Sequence, residues 1–270
     1  MAGANAPGRR TPLRLATATL VPVTLKATRF EFRLRFWILL AIFALGFTAP
    51  WNYWLHLDGS GPNTHVWGRL AIALSRAGMD ISAAFNLLLV VGIVLAFAGA
   101  ALRTWGTACM GPEVMRDRAL HGKTLIADGP YRFVRNPLYL GSWLNALALS
   151  LLMPFSGAVV TLVLLVLFQL RLIFAEEAYL SSQLAQAYAD YCARVPRLLP
   201  ALRPRVAGSG ARPRWGQAVL MEIFLWGTAV SFAAVGWQYN AHLLIQCVLV
   251  SLGAALIVRG IAMQQQPQTG

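Results

Sequence analysis

The chain has 270 residues, 57% hydrophobic and 12% charged, whereas an ordinary soluble domain carries about 45–50% apolar and about 25% charged residues. Disordered, collagen-like and coiled-coil chains are thereby excluded and a soluble enzyme is disfavoured. Twenty-three Lys and Arg against 10 Asp and Glu leave a formal charge of +13, which suits nucleic acid or the anionic face of a membrane; the hydropathy selects the membrane and argues against nucleic acid.

In chain order, residues 1–35 form a basic segment that lacks the apolar core and small-residue cleavage site of a secretory signal. Residues 24–36 mix aromatics with arginines, and either lie in the membrane interface or serve only as a positive flank that sets topology. A bilayer core about 30 Å thick needs about 20 apolar helical residues. Six stretches come close: 36–55, 83–102, 137–153, 157–174, 217–235 and 241–258. Met153-Pro154-Phe155-Ser156-Gly157 between the third and fourth reads as the turn of a helical hairpin. Gly236-Trp237-Gln238-Tyr239-Asn240 between the last two reads as a turn with interfacial aromatics. Glu222 is the isolated carboxylate of the fifth stretch. It sits near the interface, is paired within the bundle, or is functional. The tail from Gln264 is polar and expected to be disordered.

The basic residues alternate with this pattern. Seven lie in the first 35 residues, two in 56–82, six in 103–136, none at the Pro154 turn, seven in 171–216, none at the Trp237 turn and one in the tail. The positive-inside rule then places both termini and both long basic loops in the cytoplasm, and six spans return the chain to its starting side. The fold class predicted is all-α: a polytopic integral membrane protein of about six transmembrane helices, with a helical hairpin flanked by cytoplasmic motif loops. Its parts are a basic N-terminal segment at 1–35, a first transmembrane helix and outside loop at 36–84, a core at 85–204, and a C-terminal two-helix extension and tail at 205–270. The cysteines Cys109, Cys192 and Cys247 are far apart, and His56, His65, His121 and His242 have no ligand spacing. No disulfide framework and no metal site is expected.

Polar sequence complexity concentrates in 121–141 and 171–180, which the hairpin returns to one membrane face. Gly129-Pro130 makes a turn. Asn136-Pro137 reads as a helix start, with Asn as N-cap and Pro in the first turn. That end offers free N–H groups and a positive dipole to an anion, or is simply capped. Glu176 and Glu177 are read as ending the fourth span and opening an amphipathic helix, with Leu180, Leu184, Ala187 and Tyr191 on one face, that lies on the membrane and stops at Pro196 and Pro200. The pair either complements the helix dipole or binds hydroxyls or a cationic ligand. Arg171, about one and a half turns deeper, either snorkels to the interface or anchors an anionic substrate group.

The run Gly129-Pro130-Tyr131-Arg132-Phe133-Val134-Arg135-Asn136-Pro137-Leu138-Tyr139-Leu140-Gly141, then a hairpin, Glu176-Glu177-Ala178-Tyr179-Leu180, and Tyr188 to Arg197, resembles the isoprenylcysteine carboxyl methyltransferase family and the related membrane phospholipid methyltransferases. The resemblance covers roughly 85–204, and four elements recur in order with the right gap. Asn136 stands where that family usually has His. The resemblance implies a methyltransferase that takes its methyl from S-adenosylmethionine, bound in cytoplasmic loops, and acts on a membrane lipid or lipid-modified acceptor bearing a carboxylate or amine. By position it implies backbone contacts to the cofactor from Lys123, Thr124, Leu125 and Ile126, further contacts from Tyr131, Asn136, Pro137, Leu138, Tyr139 and Glu176, and Arg171 as a substrate anchor. Methyl transfer from a sulfonium needs positioning and a dry site more than a strong acid or base. The alternatives are an NADPH-dependent sterol-reductase-like membrane enzyme, whose motif continues with an acidic residue where Ser142 follows Gly141 here, and a non-catalytic membrane protein.

Overall fold

The computed structural model describes residues 26–48, 65–110, 125–210 and 212–264. The helices are α1 (Arg29–Thr48), α2 (Val66–Arg76), α3 (Ile81–Met110), α4 (Pro137–Ser150), α5 (Phe155–Arg194), α6 (Trp215–Met221), α7 (Ile223–Val235) and α8 (Ala241–Gln264), with 3-10 turns at Gly129–Arg132 and Gly236–Gln238. The described residues contain no strand, and the protein is an all-α polytopic membrane protein. Helices α3, α5 and α8 are each long and apolar enough to cross a bilayer, and α6 and α7 qualify together as a span bent by 72°.

The six apolar stretches therefore map unequally onto helices. α4 has 14 residues, a rise of about 21 Å, less than the bilayer core requires. It stops at Ser150 because Leu151, Leu152 and Met153 turn back through 3-10-type bonds to Ala148, Leu149 and Ser150, and Pro154 then opens α5. α1 starts at Arg29, ahead of the predicted stretch, and residues 49–55 of that stretch lie outside the described residues. The fifth stretch breaks at Glu222. α2, which hydropathy alone does not reveal, is an 11-residue amphipathic helix that buries Val66, Trp67 and Ala71. Its first turn is fixed on the hairpin turn: the Val66 N–H donates to Met153 O and the Trp67 N–H to Leu151 O, both at 2.9 Å.

α3 is the central helix, packed on α2, α4, α6 and α7. Leu89, Ala96, Leu149, Leu152, Phe232 and Leu244 form the buried core around it. Lipid tails are as apolar as these side chains, so close packing rather than release from water holds such helices together. The α1–α5 crossing shows this requirement: a Cβ at Gly157 would overlap Gly46 O, and one at Gly46 would overlap Thr161 Oγ1.

α5 departs most from expectation. It runs for 40 residues, so Glu176 and Glu177 lie inside it and not at a helix start. No Gly or Pro occurs between Phe174 and Leu184 to stop the helix. The break falls instead at Ala185, with φ 40° and ψ −114°. Glu176 stands 21 residues beyond Phe155, a rise of about 32 Å, which carries it past the hydrocarbon. The stripe beyond the break packs inward: Tyr188, Tyr191 and Val195 are buried with Leu180 and Leu184 against Leu125, Ala127 and Val206, whereas Ala187 is exposed. This face covers the motif loop rather than the membrane.

The start of α1 is tied to α5. Thr28 and Glu31 form a capping box, with the Thr28 N–H donating to Glu31 Oε2 at 2.6 Å and the Glu31 N–H to Thr28 Oγ1 at 3.2 Å. Arg171 donates through Nε to Glu31 Oε1 at 3.1 Å and through Nη2 to Oε2 at 2.9 Å. The Ala27 N–H donates to Arg171 O at 3.0 Å. The Arg171 hydrogen bonds, then the Thr28 amide, lower the Glu31 carboxyl from 4.5 to about 2. A depressed folded-state value means that its stabilisation is complete above about pH 4.5 and fades as the pH falls toward 2. Thermal unfolding in detergent should therefore show a stability gap between wild type and Glu31→Gln that is constant above about pH 4.5 and closes below it. A gap that persists undiminished at the acid end would remove the carboxylate from the account.

Candidate functional site

The hairpin of α4 and α5 brings together residues 41 apart in sequence around the carboxylate of Glu177. Arg135 Nη1 lies 3.1 Å and Arg197 Nη2 2.8 Å from its oxygens, and the Asn136 amide donates to it at 3.4 Å. The Glu177 side chain is 12% exposed. At this burial the two guanidinium groups compensate most of its desolvation.

Backbone bonds extend the clamp. The Arg135 N–H donates to Pro196 O at 2.9 Å, the Ala201 N–H to Phe133 O at 2.9 Å and the Arg205 N–H to Arg132 O at 2.8 Å. Arg132 Nε donates to Val206 O at 2.9 Å, and the Ser209 N–H donates to Asp128 Oδ1 at 2.6 Å. Tyr191 donates its hydroxyl to Tyr131 O at 2.8 Å. Burial pushes the Tyr191 phenol above its ordinary value, so it remains a donor at neutral pH. The segment after α5 thus runs alongside the motif loop and fixes its backbone.

Glu176 points elsewhere, as adjacent helical residues must. Its Oε1 accepts the Tyr139 hydroxyl at 2.9 Å, which joins α5 to the first turn of α4. Pro137 occupies that turn as expected, but Asn136 does not cap it through its side chain. The Asn136 amide is drawn away by Arg197 O, at 3.2 Å, and by Glu177. With φ −122° and ψ 55° its backbone is not in the usual capping conformation.

The expected residues fall into three groups. Tyr131, Asn136, Pro137, Leu138, Tyr139 and Glu176 gather at the open end of the hairpin, opposite the Pro154 turn, as a connected unit. Leu125 packs on the Tyr188–Tyr191 cluster and Ile126 is half-buried beside it in sequence, while Lys123 and Thr124 lie outside the described residues. Arg171 is engaged by Glu31. Sequence reasoning missed Arg135, Arg197 and the role of Glu177. The one available signal was charge: Glu177 is flanked in space by segments rich in arginine.

Gly129 needs its positive φ of 54°, and a Cβ there would lie 2.8 Å from Trp105 Nε1 and overlap Cys109 Sγ. The Gly-Pro turn is therefore seated on the end of α3. Burial, then the Asp128 carboxylate, pushes the Cys109 thiol upward.

These features define a helical hairpin of a membrane protein whose open end holds a polar cluster. Residues 87–187 match the family model described as phospholipid methyltransferase. The matched segment contains Tyr131, Asn136, Tyr139, Glu176 and Glu177 of the cluster, and methyl transfer is the activity class to which that similarity points. No curated protein and no solved structure matches the chain.

The two neighbouring carboxylates should separate cleanly in stability. Glu177→Gln removes charge-assisted bonds to two arginines and should cost about 1.5–3 kcal/mol. Glu176→Gln leaves an amide oxygen able to accept the Tyr139 hydroxyl and should cost less than about 1 kcal/mol. Unfolding in detergent measures both, and equal losses would contradict the assignment of Glu177 as the clamp.

Proposed function

We propose that the protein transfers a methyl group from S-adenosylmethionine to a lipid-like or membrane-partitioned acceptor bearing a carboxylate or an amine. The observation that carries the reading is the Tyr139–Glu176 pair at 2.9 Å, set at the start of the motif helix within the family-matched segment.

The donor set suits the cofactor's chemistry. The Glu176 carboxylate can accept ribose hydroxyls or face a cationic amine or sulfonium. The first turn of α4, left without a side-chain cap by Asn136, presents N–H groups and the positive dipole end to a carboxylate. Backbone groups of Lys123, Thr124, Leu125 and Ile126, with Tyr131, are proposed to complete the pocket. When bound, S-adenosylmethionine would supply an activated methyl group on a sulfonium. The chain itself then has to bind, orient and exclude water. Tyr139 and Glu176 orient through their shared hydrogen bond, and the Glu177 clamp keeps the loop closed over α4. The lipid-facing side of α5, exposing Val163, Leu164, Val166 and Leu167, would let a hydrocarbon-tailed acceptor approach from the bilayer. Arg171 would anchor an anionic acceptor group only by sharing its guanidinium with Glu31.

Calorimetry on the purified protein in detergent should detect S-adenosylmethionine binding, weakened roughly 10- to 150-fold, or about 1.5–3 kcal/mol, by Glu176→Gln. NADPH binding without an S-adenosylmethionine response would overturn the proposal.

The reading also requires both termini and both motif loops to face the cytoplasm, as the basic residues predict. Cys109 is half-buried and a poor reporter. Leu202 is fully exposed in the segment after α5, so Leu202→Cys should resist an impermeant maleimide in intact cells and react after permeabilisation. Labelling in intact cells would reverse the orientation.

A further inference from the structure

Glu222 lies at the 72° break between α6 and α7, outside the family-matched segment 87–187, and is 1% exposed. A buried intramembrane carboxylate is costly unless partnered, and this one is fully engaged. Arg103 on α3 donates through Nε to Oε2 at 2.7 Å and through Nη2 to Oε1 at 3.0 Å, and Thr107 donates its hydroxyl to Oε1 at 2.8 Å.

The same guanidinium has a second side. Arg103 Nη1 donates to Ser142 Oγ at 2.7 Å and to Leu138 O at 3.2 Å, and Ser142 in turn donates to Leu138 O at 3.0 Å. Leu138 is in the first turn of α4, one residue before Tyr139. The approach is close: a Cβ at Gly141 would stand 2.6 Å from Arg103 Cγ and 2.9 Å from Gly99 O. A carboxylate in the C-terminal extension therefore reaches the motif helix through one arginine.

We infer that Glu222 is a positioning residue for the proposed cofactor site: it holds Arg103 in the fork geometry that grips Leu138 O and Ser142, and so sets the first turn of α4 and Tyr139. This assigns the C-terminal helices a role in the site, and it rests on the methyltransferase reading above. α4 is too short to be located by a span of its own, so its entry depends on α3. A guanidinium offers several donors in a fixed fork. Two are used by Glu222 and a third by α4, so losing the carboxylate frees Arg103, whose side chain is 19% exposed, to turn toward water.

A purely structural ion pair makes a different prediction. Replacing a buried pair by apolar residues of similar size is often neutral or stabilising, whereas removing one partner is strongly destabilising. The test is the double variant Arg103→Met/Glu222→Met in the full chain, with Glu222→Asp as a charge-retaining variant should the double variant not fold. Trp226→Phe serves as a control, since it deletes the neighbouring α7–α3 bond from Trp226 Nε1 to Thr104 Oγ1 at 2.9 Å without touching Arg103. Thermal stability, S-adenosylmethionine affinity by calorimetry, and hydrogen exchange at residues 140–143 are measured together. The double variant is expected to keep wild-type stability, to bind S-adenosylmethionine about 10-fold more weakly, and to exchange faster at 140–143. Glu222→Asp should show the same two changes in smaller degree, and Trp226→Phe neither. Wild-type affinity and unchanged exchange in a stable double variant, or in Glu222→Asp, would overturn the inference. If the wild type shows no S-adenosylmethionine response, the methyltransferase reading fails, and exchange at 140–143 still decides whether Glu222 positions α4.

Discussion

The polar end of this protein depends on one carboxylate. Glu177 stands on a helix that has left the hydrocarbon, and Arg135, Arg197 and Asn136 converge on it from loops on either side of the hairpin. It adds charge-assisted contacts to the backbone bonds that tie the motif loop to Pro196, Ala201 and Arg205 and to the side-chain bonds of Arg132, Asp128 and Tyr191. With it, the loop, the start of α4 and the segment after α5 form a single unit. The length of α5 is what makes this possible. An uninterrupted run from Phe155 to Leu184 lifts the Glu pair above the membrane, and Ala185 then turns the chain so that Tyr188 and Tyr191 cover the loop.

A second ion pair operates under different conditions. Arg103 and Glu222 meet between helices, with Glu222 fully buried and Arg103 largely so, where the net gain in stability from a pair is small or negative. Such an arrangement is more informative about geometry than about stability, because a forked donor and a carboxylate admit few relative orientations. The three ion pairs Glu31–Arg171, Glu177–Arg135 and Glu222–Arg103 each link α1, the loops or the C-terminal helices to the hairpin and its neighbour α3. The family-matched core is thus held from three sides by carboxylates, two of which, Glu31 and Glu222, lie outside it.

Much of the cluster is legible in the sequence. Gly129-Pro130-Tyr131, Asn136-Pro137-Leu138-Tyr139 and Glu176 stand out by residue type and order, and they lie together, because a short Pro-containing turn between two apolar helices forces the ends opposite the turn to be neighbours. The roles within the cluster were less legible. Asn136 reads as an N-cap from its place before Pro137, yet the stronger attraction of Arg197 O and Glu177 takes its amide. The Glu pair reads as a helix start because polar residues follow an apolar run, yet helix-forming residues on both sides carry α5 straight through. Periodicity named Ala187 where the larger Tyr188 takes the buried position.

Composition, hydropathy and the placement of prolines determined by themselves that this chain is helical, membrane-spanning and folded back on itself at Pro154. Those properties follow from the requirement that every backbone polar group in lipid be satisfied within its own segment, which is a local condition. Tertiary structure alone decided which of two adjacent glutamates faces which partner, that α2 packs on the hairpin turn, and that Glu222 meets Arg103. Each of these is set by contacts between residues as far as 119 positions apart, and a charge pair at that separation leaves no periodicity or spacing in the sequence.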